Sequence, residues 1–510
     1  MRKSSKLKTQ SSKFLEQKEF IFIAKYANWL ALIAILIYSL LVWWPTKLLP
    51  YHWDSAGFVI NSAVDLLKTN FNPLIAPYSD FAHPPLLIAL LALSWKLFGQ
   101  HIIVSHLLMF SFLPILMFST YLIGKKITDS ILGLVSAFII GTVAVVVAEY
   151  GLIYIDLPVA ALGTAFLAAW LHRKHFLAGI ILSLAALIKI PILMLIIPIL
   201  AADFLEFGKK KLEWKKFLPL LLPITGVVIW LIYHKNVTGW WLVMPGRGSL
   251  IPKTIGQFLA SFGFVSQNLL LNQYRFSLLI LGLSGFLYVL SLNPKIRIVK
   301  PVSTLGLTII TGIMFFTLAG EFGLRYGIFL LPAYVLTMMY FVHQALPQKL
   351  YLWPVGIMIV ILFLFTWHPK IAATQDYEFR PPENLSYQDL ISIGRQAALF
   401  VSVNFPQAKF YGGFPENYQL EQPYQGYVDQ GLDFSLCKDF KPELDKIQII
   451  YLHPYSPTQI PCRQLLDMVP TLPLNKFEKN GKWLELYMVD ASATAQLIKT
   501  NTDSAHAQEP

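Results

Sequence analysis

Charged residues are scarce in this chain. Lys, Arg, Asp and Glu make up 14% of its 510 residues, against about 25% in soluble globular proteins. The apolar residues, 55% of the total, come in long uninterrupted blocks rather than at amphipathic spacing. Blocks of roughly 17–25 apolar residues have the length of membrane spans, which excludes a soluble enzyme and a disordered chain alike. Cysteine is nearly absent, with Cys437 and Cys462 alone. No Cys-x-x-Cys pair, His-Glu-x-x-His motif or Gly-rich phosphate loop appears, so a nucleotide-sugar or ATP site has no support. Internal repeats and Gly/Ser-rich linkers are missing too.

What is present is a basic balance, +12 at neutral pH, and it is unevenly placed. Residues 1–369 hold 29 basic and 12 acidic residues, whereas residues 370–510 hold 12 and 17. Membrane proteins collect Lys and Arg in cytoplasmic loops, so the excess need not mean nucleic acid. The break predicts a basic cytoplasmic N-terminus over 1–25, a membrane domain over 26–369, a soluble extracytoplasmic domain over 370–490, and a disordered tail over 491–510.

The run Tyr26–Trp43 follows seven basic residues but lacks a small-residue cleavage site. It therefore reads as a first span rather than a signal peptide. Further apolar blocks occupy 103–123, 131–148, 157–171, 176–204, 217–233, 275–292, 303–319, 326–343 and 350–367. The loops around Lys125-Lys126, His172–His175, Lys209–Lys216, Lys295–Lys300 and Lys349 carry 13 Lys/Arg, against six in the alternate loops after residue 100. The positive-inside rule puts the 13 on the side of the N-terminus. Block 176–204 then crosses twice, broken at Lys189-Ile190-Pro191, and Pro84–Gly99 stays juxtamembrane or re-entrant. The expected fold is mainly α: a polytopic bundle of about 11 spans, followed by a small C-terminal α/β domain outside. Cys437 and Cys462 both fall in that outer domain, where a disulfide can persist; two unrelated thiols is the other reading.

In the outer domain, 385–404 reads as a helix, and Ala408–Phe414 and Lys446–Leu452 as strands. Asn475–Val489 reads as a hairpin turning at Asn480-Gly481.

The first outer loop, 44–102, is long and chemically dense. It contains Tyr51-His52-Trp53-Asp54, then an amphipathic stretch with Val59/Ile60, Ala63 and Leu66/Leu67 on one face and Asn61, Asp65 and Lys68 on the other. That stretch is expected to lie in the interface plane. His83-Pro84-Pro85-Leu86 follows. Other outward charges include Glu149, Asp156, Glu321, Lys189, Lys235, Arg247, Lys253, Arg275 and Arg325. Ionisable groups at membrane depth are costly and often functional.

The order of Asp54, the amphipathic helix, His83-Pro84-Pro85-Leu86 and Asp156-Leu157-Pro158 resembles the GT-C superfamily of membrane glycosyltransferases. More narrowly, it is similar to the bacterial protein O-mannosyltransferases and the aminoarabinose transferases, the family 39-like group. Ala178-Gly179 to Lys189 and Arg325-Tyr326 to Pro332 fit the same pattern, over roughly residues 25–345. This chain departs from it where Ser55 follows Asp54 in place of Glu. It also carries His83 where the lipid A branch often has Lys, and it lacks the oligosaccharyltransferases' Trp-Trp-Asp motif.

The resemblance implies an inverting transfer from a polyprenyl-phosphate sugar to a protein, lipid or glycan acceptor at the outer face of the cell membrane. Asp54 would be the base, with Asp156 a second acidic group that orients the acceptor or, with Asp54, holds a divalent metal. His83, Arg325, Lys189 and Arg247 would contact the donor phosphate. Blander roles remain open: helix caps for Asp54 and Asp156, a buried turn histidine for His83, and an interfacial anchor for Arg325. Lys189 would then snorkel. The rival functions are a surface-polysaccharide polymerase or ligase, a lipid-linked-glycan transporter, and a non-catalytic scaffold.

Overall fold

The structure, a computed structural model, describes residues 26–71, 83–205, 213–241, 251–272, 275–292, 298–320, 322–346, 385–443, 445–453 and 459–490, with 356, 357 and 360. The segments 1–25, 370–384 and 491–510, where the expected boundaries fall, lie outside the described residues, as do most of the expected span 350–367, Arg247 and Glu321.

Six described helices are long and apolar enough to cross a membrane: Tyr26–Trp43, Ile102–Ile127, Trp214–Thr238, Arg275–Leu292, Lys300–Ala319 and Leu324–Ala345. The pair Ser130–Thr142 and Ala144–Tyr150 is apolar enough to cross as well, but is bent by 68° into a broken span or a re-entrant loop. The bend falls at Val143, whose backbone is extended between the two helices. Four shorter apolar helices, Leu86–Phe98, Asp156–Leu171, His175–Ala186 and Ile190–Leu205, complete the apolar set among the described residues. The protein is thus a multi-pass membrane helical bundle. The sequence count of eleven also included Asp156–Leu171, both halves of 176–204, and 350–367. The first three are helices shorter than a full span, and the last lies almost wholly outside the described residues.

The break expected near Lys189 is a real change of backbone. His175–Ala186 ends, Lys189 is extended at φ −153° and ψ 114°, and a 3-10 turn Ile190–Leu195 leads into Ile196–Leu205. Pro191 sits in the first turn, where its missing N–H breaks no helical bond. Close helix contacts rest on small residues, as membrane packing requires. A Cβ on Gly133 would lie 2.4 Å from the Tyr121 carbonyl.

After the first span, one widened π turn, Ser55–Val59, runs into the helix Ile60–Lys68. Its buried Ile60, Ala63, Val64 and Leu66 pack toward Leu86–Phe98. At the start of its polar face, Asn61 Oδ1 accepts from the Tyr424 hydroxyl at 3.0 Å and Gln425 Nε2 at 3.1 Å. The C-terminal domain thus covers the first turn of the helix, where Asn61 is half-buried, while Lys68 at its end is exposed.

That domain is a five-stranded sheet: β1 (Lys409–Gly412), β2 (Asp433–Leu436), β3 (Gln448–Leu452), β4 (Thr471–Lys479) and β5 (Lys482–Val489). The strand order is β2-β1-β3-β5-β4. β1 is parallel to β2 and β3, while β5 is antiparallel to β3 and β4. Asn480 and Gly481 turn the β4–β5 hairpin with φ of 51° and 77°, the left-handed pair that such hairpins demand. The helix Tyr387–Asn404 packs on β4 and β5. Cys437 and Cys462 are joined in a disulfide that ties the turn after β2 to the helix Ile460–Met468.

The domain is keyed to the first outer loop. Tyr51 N donates to Gln425 O at 3.1 Å, and Gln425 Nε2 donates to Ala56 O at 3.1 Å. The Phe414 ring lies so close over Gly57 that a Cβ there would fall 2.2 Å from it. Ala148, Leu152 and Tyr154 of the membrane domain share one apolar cluster with Tyr387 and Ile391. The loop carrying Asp54 is therefore clamped between bundle and sheet.

Candidate active site

Four of the residues singled out from sequence meet in one cluster. Asp54 Oδ2 lies 2.6 Å from Arg325 Nη2, and Asp156 Oδ1 lies 2.6 Å from Lys189 Nζ. Arg325 Nε is 3.9 Å from Asp156 Oδ2, so the two ion pairs form one network. Separate elements supply each group: the turn before the first-loop helix, the first turn of Asp156–Leu171, the break at Lys189, and the 3-10 stretch Leu324–Leu330. Each sits where regular helix starts or stops, at one end of the bundle.

The side chains do not play the capping roles left open above. Asp54 precedes the π turn without a side-chain cap bond, and Asp156 lies inside its helix, with Ile155 at the cap position. Lys189 does not reach for the surface; its side chain is 12% exposed and engaged with Asp156. Asp156 is 4% exposed but Asp54 27%, so Asp54 is the carboxylate that an incoming group can meet.

Aromatic rings wall the cations. Arg325 lies 5.0 Å from the Tyr154 and Tyr326 ring centres, and Lys189 lies 4.2 Å from Tyr326. Burial and the Asp54 charge push the Tyr154 hydroxyl well above its usual range, leaving it a neutral donor. Glu149 is fully buried, with neither carboxylate oxygen hydrogen-bonded. It lies within electrostatic reach of Asp156, Arg325, Lys189 and Asp54. Sequence reading counted Glu149 among outward charges and passed over Tyr154; the span-end Glu149-Tyr150 before the loop was the available signal.

His83 is half-buried just ahead of Leu86–Phe98. Leu86 N donates to Leu187 O at 3.0 Å, so the His83 turn is tethered two residues from Lys189. Arg247 lies outside the described residues.

A divalent metal fits poorly here. Asp54 and Asp156 are each engaged by a cation, and no three His, Cys, Asp or Glu groups converge on a metal-sized site among the described residues. Among the described residues, the two aspartates that would hold a metal are taken up by guanidinium and ammonium instead. What the arrangement can do is present one reachable carboxylate beside two cations, which suits proton removal next to a developing anion.

No protein-family model matches the chain, and no curated protein matches it by sequence. Solved structures do. ArnT from Cupriavidus metallidurans bound to undecaprenyl phosphate superimposes with a TM-score of 0.54 at 11% identity, over 89% of this chain and 97% of that one. The same protein in the apo state gives 0.55 at 12%, over 91% and 98%. At such identity the likeness concerns the fold alone, and this chain shares the fold of those structures over most of its length.

Proposed function

We propose that this chain of GT-C fold is an inverting glycosyltransferase, moving a sugar from a polyprenyl-phosphate donor to a hydroxyl acceptor on protein, lipid or glycan. The supporting observation is the Asp54–Arg325 pair at 2.6 Å beside Asp156–Lys189, at the end of the bundle where the soluble domain docks. The fold neighbour bound to undecaprenyl phosphate makes a lipid phosphate the natural donor carrier.

An acceptor hydroxyl is a weak nucleophile. Asp54 takes its proton as the acceptor oxygen bonds to the anomeric carbon on the face opposite the phosphate. The bond from that carbon to the phosphate oxygen breaks, and its electron pair leaves with the polyprenyl phosphate. Base assistance of this kind contributes about 10²–10⁴-fold. Arg325, with its planar fork of donors, meets the growing phosphate charge, and Lys189 adds a second cation. In the resting state Arg325 neutralises Asp54; an arriving phosphate competes for the guanidinium and frees the carboxylate to act as base. Asp156 keeps Lys189 and Arg325 in place. His83, on the turn tethered near Lys189, and Arg247 complete the donor-phosphate contacts in this reading. The site faces the outer side, since basic loops mark the opposite side as cytoplasmic.

Sugar release from a radiolabelled polyprenyl-phosphate hexose, with candidate acceptors and protein in detergent, tests this. Wild type is expected to turn over, and Asp54→Asn, in protein still folded, to lose at least about 10²-fold. Equal turnover in the two removes Asp54 from the mechanism, and no turnover with any lipid-phosphate sugar removes the reading.

A further inference from the structure

The charge cluster around Asp54 has a counterpart at the far end of two of its own elements. The segment that begins at the Lys189 break ends in Ile196–Leu205, and the helix Lys300–Ala319 runs on toward Arg325. Where the first stops and the second starts, Asp203 Oδ1 accepts from two ammonium groups, Lys216 and Lys300, the latter at 2.5 Å. The Asp203 side chain is 5% exposed, but those of Lys216 and Lys300 are 19% and 32% exposed. The cations, unlike the anion between them, are open to an approaching group.

The neighbouring charges are mostly of the same sign. Lys216 sits in a third element, the 3-10 turn Trp214–Leu220, with Lys215 exposed beside it. His175 lies within electrostatic reach of Lys216, Asp203, Arg173 and Glu213, and Lys174 precedes it. Among the described residues this corner therefore holds Arg173, Lys174, Lys215, Lys216 and Lys300 against Asp203 and Glu213. The connection 206–212 carries Glu206 and Lys209–Lys211, a composition that does not reverse the sign. Such a corner attracts an anion, and the one buried carboxylate in it is already matched by two ammoniums.

Apolar surface adjoins the cations. Phe204, Leu205, Trp214 and Leu218 are exposed. Phe204 and Trp214 meet edge to face at 6.5 Å, and Lys216 Nζ lies 5.0 Å from the Phe217 ring centre. Exposed tryptophan marks the headgroup level of a bilayer. Beyond it runs Trp214–Thr238, a long apolar helix whose span is only 22% buried. A free phosphate uses the cations and gains nothing from this surface, whereas an amphiphile with an anionic head uses both.

We propose that this corner is a headgroup site for one anionic phospholipid, its phosphate on Lys216 and Lys300 and its acyl chains along Phe204, Leu205 and Leu218. The lipid braces, at one end, the two segments that carry or lead to Lys189 and Arg325 at the other. Its binding does not depend on the transferase reading.

The test uses the purified full chain, delipidated in detergent, with phosphatidylglycerol, phosphatidylcholine and inorganic phosphate as probes. Native mass spectrometry and thermal melting are the readouts. Wild type is expected to retain one phosphatidylglycerol in preference to phosphatidylcholine, and to melt higher with it. Lys216→Gln leaves Asp203 paired with Lys300, so a buried ion pair survives. Its affinity for phosphatidylglycerol is expected to fall about fivefold, the factor one lysine near anionic lipid supplies, while Lys216→Arg keeps it. Lys300→Gln reports the same loss from the other helix if Lys216→Gln does not fold. Lys253→Gln removes one charge from an exposed position outside this corner and should bind like wild type. A wild type with no preference for phosphatidylglycerol overturns the proposal, as does a Lys216→Gln chain that binds it undiminished. An equal loss in Lys253→Gln overturns it too, because bulk charge then suffices. Inorganic phosphate that raises the melting temperature as much as phosphatidylglycerol assigns the cations to a soluble anion and sinks the lipid. None of these readouts involves sugar transfer, so a chain inactive with every lipid-phosphate sugar leaves the lipid site standing.

Discussion

Arg325 is the residue on which the charge cluster turns, because it touches both aspartates and two tyrosine rings. Arg325→Lys keeps the charge but loses the fork of donors and the planar stacking. Transfer is expected to fall at least about tenfold, chiefly through weaker donor binding, measured as affinity for undecaprenyl phosphate. The Asp156–Lys189 pair is buried enough that removing one partner strands a charge. Lys189→Met is expected to destabilise by about 3–5 kcal/mol, whereas adding Asp156→Leu to it recovers most of that stability. Thermal melting of the two variants checks the difference, and both should be inactive. His52 makes a pH-dependent contribution with a definite sign. Its folded pKa lies near 3, below the ordinary 6.5; the unfolded chain therefore binds the extra proton first. Stability from His52 is present above pH 6.5 and is lost as pH falls toward 3; His52→Gln should flatten that part of the melting profile. Asp54, Asp156, Lys189 and Arg325 were legible as candidates because charge is so rare near the spans. Their pairing was not, since it depends on which helix ends meet. The place of Glu149, one of the outward charges, and of Tyr154 beside that cluster was hidden for the same reason.

Among the elements, the first-loop helix shows what periodicity can and cannot reveal. Its buried face, with Ile60, Ala63 and Leu66, follows from the spacing of apolar residues alone. That its other face meets the C-terminal domain depends on contacts about 360 residues away in sequence, which no local pattern encodes. The helix Ile255–Leu270 is not among the apolar blocks of the sequence, its 16 residues being short of a span. A local cue existed: Thr254 accepts from Gln257 N at 3.2 Å, and Gln257 Oε1 accepts from Lys253 N at 2.8 Å, close to a capping box. The hairpin at Asn480-Gly481 was readable for the opposite reason, since its turn chemistry is wholly local. Gly57 tests the docking of these elements. Gly57→Ala puts a methyl into the Phe414 ring, overpacking expected to destabilise by about 1–3 kcal/mol. Limited proteolysis should then release the C-terminal domain faster, with transfer reduced in step because the Asp54 loop loses one side of its clamp.

At the scale of the whole molecule, the same end of the bundle carries the ion-pair cluster, the first outer loop and the disulfide-linked sheet. Composition made the two-part architecture visible, because 29 of the 41 basic residues precede residue 370 and long apolar blocks end there. The number of crossings was harder to read. Helices such as His175–Ala186 and Ile190–Leu205 are as apolar as the longer ones, and what sets them apart is their length, cut short by the break at Lys189. Orientation is the remaining consequence of the charge pattern. With 13 Lys/Arg in one set of loops and six in the alternate loops after residue 100, the positive-inside rule predicts the N-terminus inside and the sheet outside. Single cysteines placed at Ser12 and at Asn480, in a chain whose Cys437 and Cys462 are both replaced by Ser, report this directly. A membrane-impermeant maleimide on intact cells should label the Asn480 position and leave the Ser12 position unlabelled until the cells are opened. Labelling of both from outside, or of Ser12 alone, would invert or break the topology. It would also move the Asp54–Arg325 cluster to the side where a sugar-charged lipid bound for the outer surface is no longer its natural substrate.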